Sequence, residues 1–320
     1  MRNLKIVILI IILSLFEIRI LNSLHSHNYD LMLSGILDFF KGTCHLRPFQ
    51  SRLLTPAIIL LISNITTLSL KTSYCLSWSI SLIIANLICF KIFYKDNKII
   101  QAFGYLSAFI LLFILFQWSG WLYPWDTIDL ITMLLFAYGI FSEKKLIYFI
   151  LVFIIGIFNR EDSLFIPLWI IFDSIIYSQK RLIINYKKLA IGIILMTTGI
   201  LYIGYCREIL FKKALFSNSS NDLLLGNHIE IFHNLSYLNP LSILSGNETI
   251  ATISILGIIF ISICSLYNYK NLKVIILLII MIVSVLFVGI IIEMRNYIMF
   301  IPFILFIASS KKTGGSNVIY

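Results

Sequence analysis

Charge is scarce in this chain: Asp, Glu, Lys and Arg together supply 12% of its 320 residues, while apolar residues supply 59%. A water-soluble domain of that length could not carry such a balance without exposing large apolar areas, so a soluble enzyme is excluded. The five cysteines (Cys44, Cys75, Cys89, Cys206 and Cys264) are scattered, with no CxxC pair and no histidine spacing of a metal site. They read as structural thiols. No internal repeat or low-complexity linker divides residues 1–320, which are read as a single integral membrane domain. Nor does any stretch combine dense Lys/Arg with a polar fold, so the formal charge of +10 does not point to nucleic acid.

What the chain has instead is long apolar runs. Ala102 to Trp118 and Val274 to Ile292 hold no charge and are long enough for a bilayer core of about 30 Å. The fold class expected is an all-α polytopic membrane helical bundle. The first run, Ile6 to Phe16, follows a basic start and has the length of a signal-peptide core. Glu17 and Arg19 stand where a cleavage site needs small residues, so Leu4 to Leu21 is read as a retained helix with a cytoplasmic start.

If every apolar run crosses, including 53–70, most lysine clusters fall outside and the positive-inside rule is broken. The stretch Leu53 to Ser63 is short, begins with Pro56 close by and dissolves into Ser63-Asn64-Ile65-Thr66-Thr67, which suits a juxtamembrane or re-entrant helix. Kept on the outer side, it leaves about ten transmembrane helices, near 4–21, 74–93, 102–118, 127–142, 146–158, 163–178, 189–205, 250–267, 273–292 and 297–309. Both termini are then cytoplasmic, and 15 of the 25 basic residues lie inside. Lys95 belongs to that inner set and Lys71 to the outer one. The chain is accordingly expected in the inner (plasma) membrane.

Two outer segments stand out by length, 22–74 with its juxtamembrane helix and 206–249, and function is expected on that side. Trp118 to Asp126, with three tryptophans, has the composition of an interfacial belt. Four Asn-x-Ser/Thr sequences, at Asn64, Asn218, Asn234 and Asn247, are ordinary for a chain so rich in Asn, Ser and Thr.

The charges that need explaining lie on the outer side. Asp30 and Asp38 follow the first helix, Arg47 and Arg52 bracket Pro48, and Asp126 and Asp129 open the fourth crossing. Asn159-Arg160-Glu161-Asp162 and Glu293-Met294-Arg295-Asn296 sit at nearly loopless turns, so their charges lie at the rim of the hydrocarbon. A charge at that depth is costly unless it pairs or lines a polar cavity. Ion pairs closing tight hairpins would account for Arg160 with Glu161 or Asp162, and for Arg295 with Glu293. A repeated choice of guanidinium, which holds phosphate oxygens bidentately and stays ionised near a membrane, points to a lipid-linked phosphate or pyrophosphate.

An early acidic residue in the first outer loop (Asn28-Tyr29-Asp30), the segment Arg47-Pro48-Phe49-Gln50-Ser51-Arg52-Leu53-Leu54 before a short helix, and serial short hairpins resemble the GT-C superfamily of polyprenyl-phosphate-sugar-dependent glycosyltransferases. The turns at Asn159 and Glu293 also look like those of bacterial surface-polysaccharide membrane proteins of that group. The resemblance implies transfer of a sugar from a polyprenyl-linked donor, with membrane lipid as the setting and no nucleic acid. Its chemistry needs a carboxylate to take the acceptor proton and cations to hold the leaving phosphate. Asp30 is then the candidate base and Asp38 its substitute; Arg47, Arg52, Arg160 and Arg295 face the phosphate; Glu161 and Glu293 orient arginines. No protein metal ligands are assigned and no cofactor is certain, although a divalent metal fits this chemistry.

Two alternatives compete. An O-antigen or capsule repeat-unit polymerase would use the 206–249 loop, with Arg207, Lys212, Lys213, His228 and His233 for pyrophosphate and proton transfer. A flippase or transporter would need charged or helix-breaking residues near the middle of several crossings, whereas most charges here sit near the ends.

Overall fold

In an apolar solvent a segment must satisfy its own backbone polar groups, so runs of Ile, Leu and Phe become helices. The computed structural model describes residues 2–28, 30, 33, 36, 38–39, 49–94, 98–118, 122–178, 181–211, 234, 247–266, 272–289 and 293–312. Among them are eleven α-helices: α1 (Arg2–His25), α2 (Leu54–Thr66), α3 (Leu70–Phe93), α4 (Ile99–Phe116), α5 (Pro124–Phe141), α6 (Leu146–Ile157), α7 (Phe165–Asp173), α8 (Tyr186–Tyr205), α9 (Asn247–Ser265), α10 (Leu272–Val288) and α11 (Ile301–Lys312). Helices α3, α4, α5 and α8 with its continuation to Leu210 are long and apolar enough to cross a membrane. Several other apolar helical segments have only 10–17 residues. Length and composition alone therefore give four crossings among the described residues. The sequence-based figure of ten draws its other members from shorter segments and from α1.

The crossing expected over 163–178 differs most. A 3₁₀ turn at Glu161–Leu164 leads into α7, which ends at Asp173, and β1 (Ile175–Ser178) pairs antiparallel with β2 (Arg181–Ile184) in a small hairpin. β-Branched isoleucines at 175, 176, 183 and 184 favour extended backbone on both arms. The Asn185 N–H donates to the Ser174 carbonyl at 2.9 Å and closes the hairpin's base.

Cations are unevenly shared between the two ends of the bundle, lysines gathering at one and arginines at the other, with Lys71 at the arginine end and Arg181 at the lysine end as exceptions to the pattern. Lys91, Lys98, Lys144, Lys145, Lys188 and Lys273 flank the ends of α3, α4, α5, α6, α8 and α10 that meet at one end. There Asp173 pairs with Lys188 and, at 3.8 Å, with Lys273. Arg52, Arg160, Arg207 and Arg295 occupy the other end. From the lysine end, α3 rises about 36 Å over 24 residues, whereas α6 rises about 18 Å over 12. Helix α6 is thus half the length of α3.

Helix α2 begins and finishes at the arginine end. The Leu54 N–H donates to the Phe158 carbonyl at 2.8 Å, and α3 starts at Leu70, four residues after Thr66; the Tyr74 hydroxyl in α3 in turn donates to the Leu122 carbonyl at 2.9 Å.

Close approach at that end depends on one glycine. A Cβ on Gly156 would meet Thr132 Cγ2 at 2.6 Å and would collide with the Ser163 hydroxyl, so only glycine lets α6 lie this near α5 and the start of α7. The core behind it is aromatic, with Trp78, Phe109, Phe113, Phe136, Phe300 and Phe303 buried. Between α1 and α3 lies a buried polar group in which Asn86 Nδ2 donates to Glu17 Oε2 at 2.6 Å and to the Ser14 hydroxyl at 3.0 Å.

Candidate functional site

Helix α5 opens with Pro124, whose fixed φ and missing N–H suit a first turn. Asp126 accepts the Tyr123 N–H at 3.2 Å, which satisfies an otherwise orphaned donor and sets a negative charge at the positive end of the helix dipole. Asp129 follows three residues later, and the helical repeat brings both carboxylates to one face. Opposite them stands the α6–α7 turn. Asn159 fixes it from two sides, with Nδ2 donating to the Trp125 carbonyl and Oδ1 accepting from the Thr55 hydroxyl, both at 2.9 Å.

Arg160 comes next and is shared among three aspartates. Nη1 lies 3.2 Å from Asp126 and 3.5 Å from Asp129, and Nε lies 2.9 Å from Asp162. Nη2 donates to Asn296 Oδ1 at 3.4 Å. Burial opposes the charge on Arg160, but Asp162, Asp129, Asp126 and Glu161 outweigh it and hold the guanidinium firmly protonated. Its fork is therefore spent on the protein's own carboxylates. Of the three, Asp162 alone is accessible, its side chain 23% exposed against 1% for Asp126 and Asp129. Burial pushes the Asp162 carboxyl above its ordinary range, against the pull of Arg160.

Glu161 forms a second node. It accepts the Ser51 hydroxyl at 2.6 Å, lies 2.9 Å from Arg207 Nη2 and 3.7 Å from Arg52 Nη2. Burial alone would raise its pKa, yet Arg52, Arg207 and the Ser51 hydrogen bond bring it below the ordinary glutamate value. Arg207 sits in a π-helical turn, Cys206–Leu210, that extends α8, a widening that recurs at functional sites. The Tyr202 hydroxyl of α8 donates to the Ser51 carbonyl at 2.8 Å and ties that helix to the same corner.

The third part is aromatic. Tyr123 and Trp125 stack at 4.5 Å, and Phe49 leans on them at 5.2 and 4.9 Å. The Arg295 guanidinium lies 4.8 Å over Tyr123, and that of Arg52 lies 5.2 Å over Trp125 and 4.9 Å over Phe49. Arg295 also pairs with Glu293 at 3.2 Å. Arg52 is less well served: its buried Nε makes no hydrogen bond among the described residues. Burial lowers its pKa, Glu161 raises it, and the positive charges of Arg160 and Arg295 lower it again. Two guanidiniums over one stacked pair of rings repel each other in a poorly hydrated corner, and an anion held between them relieves that repulsion.

The residues singled out from sequence thus divide. Arg52, Arg160, Glu161, Glu293 and Arg295 converge at one end. Asp30 is exposed and pairs with Lys71 at 2.6 Å, apart from the arginines. Asp38 is partly buried beside Phe39, whose ring packs edge-on against Phe211 at 5.6 Å. Arg47, Lys95, Lys212, Lys213, His228 and His233 lie outside the described residues. Asn234 is buried, its Nδ2 donating to the Leu286 and Gly289 carbonyls at 2.7 and 2.8 Å, so it serves the end of α10 and offers no accessible glycan acceptor. The site also holds Asp126, Asp129, Asp162, Ser51, Asn159 and Asn296, which the sequence reading left without a role in binding or catalysis. No group of three or more His, Cys, Asp or Glu suited to a metal ion occurs among the described residues. No protein-family model, curated protein or solved structure matches the chain.

Proposed function

We propose that the protein is a multi-pass glycosyltransferase of about ten crossings that moves a sugar from a polyprenyl-phosphate donor. The arginine end faces the outside of the plasma membrane, both termini are cytoplasmic, and the lysine excess at the other end supports that orientation. The observation that carries the reading is the pair Arg52 and Arg295, both largely buried and held over the Tyr123–Trp125 stack. Those two guanidiniums take the donor phosphate, with Arg207 at the exposed margin. Arg160 is a positioning residue that holds Asp126, Asp129 and Asp162 in place.

Asp162 is the base in this scheme, a role the first-loop acid Asp30 was expected to fill. The acceptor hydroxyl attacks the anomeric carbon and gives its proton to the Asp162 carboxylate, while the bond from that carbon to the phosphate oxygen breaks and its electrons stay on the phosphate. The partly exposed position of Asp162 and its raised pKa both suit it to accepting a proton.

Polyprenyl phosphate titrated into the purified protein in nanodiscs tests the binding step. Saturable binding is expected, with polyprenol and inorganic phosphate each far weaker. Equal binding of polyprenol would remove the phosphate from the scheme.

One observation favours the polymerase as a second reading, since Arg207, from the late outer loop, joins the cluster through Glu161 at 2.9 Å. Surface polysaccharide from a deletion strain separates the two: one repeat unit in place of a ladder indicates polymerase, and an intact ladder of altered mobility indicates transferase.

A further inference from the structure

Between α1 and α3 one carboxyl group is buried with no cation beside it. Glu17 and Asn86 are both sealed from solvent, and Asn86 Nδ2 donates to Glu17 Oε2 at 2.6 Å. Glu17 lies on the inward face of a helix whose Ile12, Leu15 and Phe16 are exposed, so the carboxyl points into the bundle while lipid meets the other face.

Ser14 fixes which way the Asn86 amide faces. Its hydroxyl donates to the Ile10 carbonyl at 2.9 Å, so its oxygen is left to accept, and Asn86 Nδ2 reaches it at 3.0 Å. Both amide hydrogens are thereby placed, one on Ser14 Oγ and one on Glu17 Oε2. Two oxygens remain, Glu17 Oε1 and Asn86 Oδ1, each buried and without a hydrogen-bond partner among the described residues. While Glu17 is ionised both are acceptors only, and nothing can join them. A proton on Oε1 makes that oxygen a donor, and the open acceptor belongs to the side chain already bonded to the same carboxyl. Acid and amide then close a ring of two hydrogen bonds. A buried unpaired carboxylate and an orphaned amide oxygen are each costly, and one proton relieves both. A proton, unlike any larger ligand, needs no cavity.

We propose that Glu17 and Asn86 form an intramembrane proton-binding site, in which the neutral acid donates from Oε1 to Asn86 Oδ1 and keeps α1 docked on α3. The proton comes from water and returns to it; release leaves a carboxylate beside a second acceptor and loosens the two helices. Few titratable neighbours compete. Cys89, buried one turn beyond Asn86 on α3, faces Glu17. Lys91 on that helix and Arg19 on α1 are exposed, and Tyr105 of α4 is stacked on Phe93. The site is independent of the sugar-transfer reading, because it shares no residue with the arginine cluster.

Infrared spectra of the full-length protein in nanodiscs at neutral pH, wild type against Glu17→Gln, read the protonation directly. Wild type should show the carbonyl band of an unionised carboxyl, shifted in D2O, and Glu17→Gln should lack it. The new amide offers Nε2–H where the acid offered O–H, so this variant should melt at the wild-type temperature at neutral pH. It should also decline less steeply than wild type as pH rises, because only wild type gives up the proton that joins the helices. Asn86→Leu should shift the band and lower the melting temperature, since the acid loses its acceptor. Superimposable spectra of wild type and Glu17→Gln in the carboxyl region would overturn the proposal. So would failure of Glu17→Gln to fold, or a wild-type band that sodium chloride abolishes at fixed pH, because the oxygens would then hold a metal cation.

Discussion

The guanidinium of Arg160 and the carboxylate of Asp126 meet at 3.2 Å across 34 residues of sequence, both side chains nearly sealed from solvent. A buried ion pair breaks badly when one member is removed, because the survivor is left charged and unpaired at a cost of about 3–5 kcal/mol. Here three carboxylates would be stranded together. Arg160→Ala should therefore lower the amount of folded protein sharply, as read by fluorescence-detected size exclusion. Arg160→Lys should restore most of the protein while leaving turnover depressed, because an ammonium cannot hold three carboxylates in the fixed geometry of the fork.

Gly156 supplies a purely steric test. Adding one methyl at a site already in contact with Thr132 and Ser163 overpacks the junction and should cost about 1–3 kcal/mol. Gly204→Ala is the control, since a Cβ there meets nothing within 4 Å. A lowered melting temperature in Gly156→Ala, with Gly204→Ala unchanged or raised, is the expected pair of results.

Glu161 predicts an acid limit. Its folded pKa lies below the ordinary 4.5, so the stabilisation it brings is fully present above that value and is lost as pH falls below it, through the lower folded pKa. Melting temperature in detergent should decline over that acid range. Glu161→Gln should be less stable at neutral pH and should show a shallower decline.

Much of this cluster was legible because charge at a nearly loopless turn is conspicuous in an apolar chain. Arg160, Glu161, Glu293 and Arg295 announce themselves that way, and Arg52 does so by preceding a short helix. Asp126 and Asp129 were visible at the opening of a crossing, but hydropathy says nothing of which turn α5 faces, so their contact with Arg160 was not. Asp30 stands out in the sequence by its place in the first loop, and loop position carries no information on whether the chain brings a residue to Lys71 or to the arginines. In the sequence, Asp162 reads only as an ion-pair partner of Arg160. The hairpin at 175–184 was hidden inside an apolar run, where isoleucine serves strand and helix alike.

Orientation is open to labelling. Single cysteines at Lys71 and Lys144, in a background without native thiols, should separate cleanly with a membrane-impermeant reagent. Position 71 should react in intact cells and position 144 only after permeabilisation. The reverse pattern would invert the protein and turn the arginine cluster toward the cytoplasm.

The most direct measurement of the sugar-transfer reading is complementation of a deletion strain, scored on a surface-polysaccharide gel beside a quantified immunoblot. Wild type and Asp30→Asn should restore the normal ladder. Asp162→Asn, nearly isosteric but unable to take a proton, should be present at normal level and leave the ladder defective, and Arg52→Lys and Arg295→Lys should each restore it poorly. A normal ladder from Asp162→Asn together with both lysine variants would contradict the assignment of phosphate binding and proton transfer to this cluster.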